Sequence, residues 1–261
     1  MKNEERFMVD VGMKGLPFPI RAFSRDDAAG QQTVANISVN ARVMHEFEAG
    51  WIDRFIQLIH KHRDRIGTSF LRENVKDYLS ALNASSVRID FDYPFFIEKF
   101  TPASREKCLV KYQCTYSAHV TVGAKITFKM KVPCLTTYPD SDRDKLGGLM
   151  AQLSFVLLEV ESSRDVTPEE LVDLVDSCAL SPVYSYLTDE DQHAIIKKVH
   201  SERKTSVVTV DEIKKRLAMD RSLDYYSVNS RNFGLLHSYS TVVGTEKSIW
   251  VPFSGYDEEQ Y

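Results

Sequence analysis

Two isolated aspartates carry side chains with which this chain could transfer protons or hold a cation. Asp140 lies in a polar loop between two predicted strands, where it could act as a general acid or base or as an oxygen ligand. Asp176 lies in a predicted helix, where it could ligate a cation or accept a proton. Both also have ordinary interpretations, because residues 140–144 are typical of a charged turn and Asp176 shares a polar helix side with Asp173.

A third acidic group opens another predicted helix, at Glu190 and Asp191 followed by Gln192. These side chains could hold a ligand, and the Gln192 amide offers a hydrogen-bond donor as well as an acceptor. Acids in a first helical turn also interact favourably with the helix dipole, which is a purely structural explanation. His237, between two apolar segments, could be a ligand, a base or a core histidine.

Two aromatic residues, Trp51 and Phe55, fall on one face of a predicted helix. They could stack on a planar ring, although aromatic residues at helical spacing more often belong to a core. The sequence leaves both interpretations open.

The composition indicates an ordinary globular protein. Hydrophobic residues make up 43% of the 261 residues, and the net charge of -4 with scattered basic residues argues against nucleic-acid binding. No run of about 18 apolar residues predicts a membrane span, and the N-terminus lacks the apolar stretch of a signal peptide. We therefore expect a cytoplasmic protein. Its four cysteines show no CxxC spacing and are expected to be buried and reduced.

The elements that must position these residues follow one order twice. The first series is predicted as a strand over 32–43, helices over 50–63 and 75–82, and strands over 86–100 and 108–122. The second series is predicted as strands over 125–134 and 153–161, helices over 167–178, 189–200 and 210–219, and strands over 223–232 and 235–243.

This order predicts an α+β protein made of two fused ββααββ units, with antiparallel sheets and helices on one face. The units are placed at 1–122, with an N-terminal extension, and at 123–261. Sheets of this kind have edges that must be paired or shielded, so we expect a homo-oligomer, a dimer or tetramer. The alternative is a monomer whose edges are shielded by charge.

Four stretches resemble the type IB GTP cyclohydrolases. Residues 11–20 (VGMKGLPFPI) are similar to that family's VGxKGxxxPI, and residues 93–104 (YPFFIEKFTPAS) to its YPYFxxKxAPVS. Residues 182–184 (PVY) followed by Asp191 are similar to a PVY-then-DE segment, and residues 232–237 (NFGLLH) lie where the family has ExIHxH. The resemblance spans almost the whole chain and implies the tunnelling fold, whose subunit holds two ββααββ units.

The resemblance implies a chemistry as well. The family opens the imidazole ring of GTP at C8 and recloses it as a dihydropterin triphosphate, using a divalent metal that activates water. A small heterocyclic substrate, sites near subunit interfaces and zinc, iron or manganese are therefore expected by analogy.

The family's metal-binding positions are substituted in this chain. Asp140 stands at the cysteine position, and Met150, a weak soft ligand, stands at the histidine position. In the ExIHxH run, His237 is retained, whereas Gly234 and Tyr239 replace the glutamate and the second histidine.

These matches complete the predicted site. Asp176 stands at the place of a family glutamate, Asp191 matches a family aspartate, and Arg54 is retained in a stretch similar to KGTHMSRF. The predicted catalytic residues are Asp140, His237 and Asp176; the predicted substrate-binding residues are Glu190, Asp191, Gln192, Met150, Tyr239, Trp51 and Arg54; any metal would be held by Asp140 and His237.

Three functions fit this pattern. The first is a divergent cyclohydrolase acting hydrolytically on a purine-like or pterin-like ring, with altered or absent metal dependence. The second is a tunnelling-fold enzyme repurposed for another biosynthetic reaction. The third is a non-catalytic binding or assembly protein.

Overall fold

A computed structural model describes residues 8–43, 50–64 and 66–247 of the protein. Over these residues the chain forms one nine-stranded antiparallel sheet and five helices. The first elements are β1 (Val9–Ala22), β2 (Gln31–Val43), α1 (Trp51–His62), α2 (Thr68–Leu82), β3 (Ala84–Phe100) and β4 (Lys107–Val120). They are followed by β5 (Ala124–Thr137), β6 (Ala151–Ser162), α3 (Pro168–Cys178), β7 (Ser181–Pro182), α4 (Asp189–Ser201), α5 (Ser206–Met219), β8 (Leu223–Phe233) and β9 (Ser240–Glu246).

The strands pair in the order β1-β2-β3-β4-β5-β6-β8-β9, and the short β7 pairs with β5. The predicted α+β class, the antiparallel pairing and the order of elements are confirmed. In the part of the chain that the structure describes, no helix combines the length and apolarity needed to cross a membrane.

Three strands differ from the sequence prediction, and one of them is the two-residue β7, which was not predicted. β1 was not predicted, because its glycines and prolines hide the strand pattern, and its register with β2 shifts between Met13 and Leu16. The strand predicted over 235–243 is wrong at its start, since β9 begins only at Ser240 and residues 234–239 form a loop. The apolar Leu235 and Leu236 suggested a strand, but both are exposed in that loop.

The two faces of the sheet have different environments. On β3 the alternate residues Val87, Ile89, Phe91, Tyr93 and Phe95 are at most 1% exposed. Their face packs against helices, since α2 contacts β3, β4 and β5 while α5 contacts β8 and β9. The other face of β3 is polar over 86–92 and carries the exposed Phe96 and Phe100 toward the end of the strand. This alternation is typical of an antiparallel sheet with one face in the core and one in water.

Helix α3 connects the second series of elements to the first. Its start is fixed by a capping box between Thr167 and Glu170. Its acids at positions 169, 173 and 176 recur at helical spacing on one side, and each contacts the first series. The contacts are Ser24–Glu169, Arg25–Asp173 and Lys99–Asp176.

The four cysteines, Cys108, Cys114, Cys134 and Cys178, are free and buried, as predicted. Burial raises the pKa of the Cys134 thiol to about 12 and raises the pKa of Cys114 and Cys178 as well. Because the thiolate is the reactive form, these three residues are inert packing groups.

Candidate functional site

Two loops meet at one end of the sheet and bring several predicted site residues together. Residues 138–150 connect β5 to β6, and residues 234–239 connect β8 to β9. The pairs Thr137–Ala151, Leu153–Phe233 and Phe233–Ser240 place the two loops side by side. Asp140, Met150, His237 and Tyr239 therefore lie at the same end of the sheet, which we call the site end.

Tyr138 is the most strongly fixed side chain at the site end, and the sequence prediction missed it. Its ring is only 8% exposed. Its backbone N–H donates to the Met150 carbonyl at 2.8 Å. Its own carbonyl accepts from the N–H and hydroxyl of Ser141 at 3.1 Å and 2.7 Å. A lone aromatic residue in a polar loop gave no sequence signal of this role.

The Tyr138 ring lies directly against Gly234. A Cβ atom built on Gly234 would stand 2.9 Å from the Cε2 atom of Tyr138, which is closer than carbon atoms pack. Position 234 therefore cannot carry a side chain unless Tyr138 moves. Where the resembling family has a glutamate, this chain has a glycine covered by a tyrosine ring.

Three rings, Tyr138, His237 and Tyr239, follow one another at the site end, and we call them the aromatic row. The His237 and Tyr239 centroids are 4.7 Å apart with an angle of 17° between planes, which is a stacked arrangement. The Tyr138 and His237 centroids are 6.4 Å apart at 34°. His237 is exposed, so its interpretation as a core histidine is wrong.

The remaining loop residues are less constrained. Asp140 lies in an exposed turn two residues after Tyr138, which is compatible with a charged turn and with a site residue. Met150 is half-buried, and its carbonyl positions Tyr138.

Asp176 lies in the interior between α3 and the sheet. One carboxylate oxygen, Oδ2, accepts a hydrogen bond from Lys99, and the side chains of the pair are 17% and 10% exposed. The other oxygen, Oδ1, is buried and finds no hydrogen-bond partner among the described residues. Burial raises the pKa of Asp176, although the Lys99 ammonium opposes this shift. Asp176 does share a helix side with Asp173, as the structural interpretation has it, but it is buried and paired with Lys99.

Asp191 is fully buried and joins α4 to the turn between β3 and β4. Its carboxylate accepts from the N–H groups of Ala103, Ser104 and Thr188 and from the hydroxyls of Ser104 and Thr188, all within 3.0 Å. Burial alone would raise the pKa of Asp191, but these hydrogen bonds outweigh it and hold the pKa well below its usual range. Both oxygens are engaged, whereas Glu190 and Gln192 are exposed.

Trp51 and Arg54 are not brought to the site end within one chain. Trp51 is 7% exposed and belongs to the hydrophobic core, whereas Arg54 is exposed. Their helix packs on β1, where His60 contacts the Phe18 ring with centroids 4.7 Å apart. Strand β8 lies six spacings from β1 in the sheet, which is about 29 Å at about 4.8 Å per strand.

A buried polar network supports the site end from the helix side of the sheet. It consists of the buried Thr136, Gln152, Ser154, Ser230 and Asn232 on three neighbouring strands, and it reaches the exposed Thr241 on a fourth. Asn232 Oδ1 accepts from Ser154 at 2.8 Å and from Ser230 at 2.9 Å, and Ser154 shares a 2.8 Å hydrogen bond with Thr136. The sequence signal for this network was a run of polar residues at core-facing strand positions, which the strand prediction did not use.

The residues at the site do not fit the divalent metal that the resemblance implies. Met150 offers a weak ligand, Gly234 offers none, and Asp176 already accepts from a lysine ammonium. No three His, Cys, Asp or Glu side chains within 8–43, 50–64 and 66–247 form a group able to hold a metal ion.

Comparison with solved structures defines the class of protein. Uricase from Arthrobacter globiformis is similar over 96% of this chain and 97% of its own, with a TM-score of 0.52 and 9% sequence identity. At this identity the likeness concerns the fold alone, which is the tunnelling fold expected from the sequence.

Comparison of sequences then defines the family. Residues 2–243 match the family model described as type I GTP cyclohydrolase FolE2, and the chain belongs to this family. GTP cyclohydrolase FolE2 of Geobacter sp. (strain M21) is 28% identical over 238 residues, covering 91% of this chain and 89% of that protein. GTP cyclohydrolase FolE2 of Geotalea uraniireducens (strain Rf4) is 29% identical over 237 residues, covering 91% and 87%.

Proposed function

We propose that this protein is a divergent FolE2-type enzyme that hydrolyses a purine-like or pterin-like ring, with GTP as the first candidate substrate. The observation that carries the proposal is the grouping of Asp140, His237 and Tyr239 at one end of the sheet, in a chain whose relatives are named GTP cyclohydrolases. The composition of the metal positions favours altered or absent dependence on a divalent metal.

The proposed reaction adds water to a C=N carbon of the bound ring. His237 or Asp140 accepts a proton from the attacking water, and the ring nitrogen takes up a proton as the C–N bond opens. The exposed Glu190 and Gln192 hydrogen-bond to the edge of the ring. Asp176 is the third proposed catalytic residue, with one oxygen paired with Lys99.

We also propose that the active protein is a dimer or tetramer whose sites lie near subunit interfaces. Helix α1, which carries Trp51 and Arg54, contacts β1 through His60, and β1 lies about 29 Å from β8 along the sheet by the strand spacing, so a neighbouring copy is the proposed source of these residues. The proposed division into units at 1–122 and 123–261 falls in the turn between β4 and β5.

The test is direct incubation of purified protein with GTP and with a panel of purines and pterins. Mass spectrometry detects the added water, and parallel samples contain a chelator or added zinc, iron or manganese. We expect turnover in the wild type and its loss in His237→Ala and Asp140→Asn, with Asp144→Asn of the same exposed loop as the matched control.

One observation favours a repurposed or non-catalytic role. The Tyr138 ring fills the space beside Gly234, the position at which the resembling family has a glutamate. Ligand-induced thermal stabilisation without any product would support a binding protein. Turnover of a ring other than GTP would support a repurposed enzyme. Absence of both turnover and binding across the panel would reject the proposed function.

A further inference from the structure

We infer that Tyr138 and the loop over 234–239 form a stacking slot for a planar bicyclic heterocycle. This inference rests on the proposed function, because it assigns the way in which a purine base would be held. It adds a residue that neither the sequence pattern nor the family resemblance assigns to the site.

Tyr138 has the rigidity that a stacking surface needs. Its backbone is held on both sides, by Met150 and Ser141, and its ring is backed by Gly234. Gly234 has no positive φ, so the absence of a side chain there is not required by the backbone. What the glycine provides is room for the Tyr138 ring.

The spacing in the aromatic row suits an inserted ring. The Tyr138 and His237 centroids are 6.4 Å apart, close to the about 7 Å that two stacking layers of about 3.5 Å require, but their planes are inclined by 34°, so the loop must also turn for both rings to stack on a ligand. A small movement of the exposed loop over 234–239 would let a flat ring enter between them. Tyr239, stacked on His237 at 4.7 Å, supports the outer wall of the slot.

The exposure of the loop also points to a ligand. Leu235, Leu236 and Tyr239 are 78%, 68% and 60% exposed within six residues. Clustered exposed apolar side chains are a feature of ligand-binding surfaces. Rings and leucines around a narrow slot suit a flat heterocycle.

Aromatic replacement separates stacking from proton transfer. Binding of GTP and of guanosine is measured by calorimetry in the presence of a chelator. We expect His237→Ala, Tyr239→Ala and Tyr138→Leu each to weaken binding by about 5- to 150-fold, the range for loss of one base-stacking partner. His237→Phe, Tyr239→Phe and Tyr138→Phe keep the ring and are expected to bind within about threefold of the wild type.

The control is Tyr186→Ala, which removes a tyrosine that is 55% exposed outside the loop and should leave binding unchanged. Circular dichroism and the oligomeric mass of every variant are measured alongside. The slot would be overturned if the Phe variants weakened binding as much as the variants that remove the ring (His237→Ala, Tyr239→Ala and Tyr138→Leu). It would also be overturned if the variants that remove the ring left binding unchanged. In both cases the proposed function stands. Wild-type protein that binds neither ligand would overturn the slot for a guanine ring, whereas the proposed function is rejected only when no ring of the panel is bound or turned over. A change of oligomeric mass in the Ala variants, with binding unchanged, would show that a second copy covers these rings.

Discussion

At the residue scale, Asp176 and Asp191 are buried carboxylates held in opposite ways. Asp191 accepts from five donors, so its ionised form is stabilised. Asp176 accepts from Lys99 through one oxygen and buries the other without a partner among the described residues. The first arrangement fixes a turn, whereas the second leaves an oxygen that can still accept a hydrogen bond.

Asp191→Asn should destabilise the fold in a pH-dependent way. Because the pKa of Asp191 is lowered by folding, its stabilising contribution is present above the unfolded value of about 3.9 and is lost as pH falls below it. Thermal unfolding should show a lower Tm for the variant at pH 7 and a shrinking difference from the wild type below about pH 4. Glu190→Gln, an exposed change in the same helical turn, is the control and should have little effect. An unchanged Tm for Asp191→Asn would contradict this account.

Lys99→Met should lower the free energy of unfolding, because it leaves the buried Asp176 carboxylate without its ammonium partner. Removing one partner of a buried pair costs about 3–5 kcal/mol, and denaturant unfolding at pH 7 measures it. The pKa of Asp176 is already raised by burial, and loss of the ammonium raises it further. A carboxyl group with a raised pKa in the folded protein stays protonated at low pH, and the free energy of unfolding falls as pH rises through that pKa. The loss of stability in Lys99→Met should therefore be smaller near pH 4 than at pH 7.

The matched control for this pair is Asp173→Asn on the same helix. Asp173 pairs with Arg25, but their side chains are 62% and 45% exposed, so the change should cost less than about 1 kcal/mol. Equal effects of the two variants would show that burial does not set the strength of the Lys99–Asp176 pair.

Gly234→Ala should force Tyr138 out of place. The added methyl group would stand 2.9 Å from a ring carbon, and overpacking of this kind costs about 1–3 kcal/mol. Combining it with Tyr138→Leu should cost less than the sum of the two single changes, as measured by denaturant unfolding. Gly123→Ala, where an added Cβ meets no atom within 4 Å, is the control. Additive effects would mean that the two residues are not coupled.

At the scale of elements, the strands of the site end are joined by polar as well as apolar contacts. Asn232 is 1% exposed and links β8 to β6 through Ser154. Its amide also approaches the Thr241 carbonyl of β9 at 3.4 Å. A network of this kind fixes the positions of neighbouring strands only if its members are satisfied. The loop over 234–239 therefore starts and ends on strands that Asn232 connects.

Asn232→Ala should destabilise the protein by about 2–3 kcal/mol, because the hydroxyls of Ser154 and Ser230 lose a buried acceptor. Chemical denaturation measures this, and hydrogen exchange should report faster opening of β9. Asn229→Ala on the same strand is the control. The Asn229 side chain donates to Ser227 and lies on the other face of the sheet, away from the network. Equal losses for both variants would argue against a special role for the network.

At the scale of the whole molecule, the sheet ends in β1 on one side and β9 on the other. Within the described residues each of these strands pairs with one neighbour only. Free edges invite pairing with another chain, which is the physical basis of the proposed oligomer. The same pairing would bring residues of one copy toward the site end of the next.

Val242→Lys should reduce self-association, because a lysine on an edge strand opposes strand pairing. Leu157→Lys is the matched control on a central strand: Val242 and Leu157 are 39% and 40% exposed and lie on the same face of the sheet. Sedimentation velocity should give a smaller species for the edge variant only. A monomeric wild type, or equal effects of the two variants, would contradict assembly through β9.

Local sequence patterns predicted most of the strands, the five helices and the family. The period of two in β3 and the capping residues before α3 are local signals, because side-chain alternation and cap chemistry depend on neighbours along the chain. The sequence also indicated which residues belong to the site end, since Asp140, Met150 and His237 fall in or beside the two loops that close β5–β6 and β8–β9.

The contacts of these residues come from the folded chain and have no local signal. Lys99 and Asp176 are 77 positions apart, and Tyr138 and Gly234 are separated by an entire run of strands and helices. Such contacts depend on strand register and helix packing, which no local pattern specifies. The sequence therefore identified Asp176 as a candidate but not Tyr138, because only the folded chain brings Asp176 to Lys99 and the Tyr138 ring to Gly234.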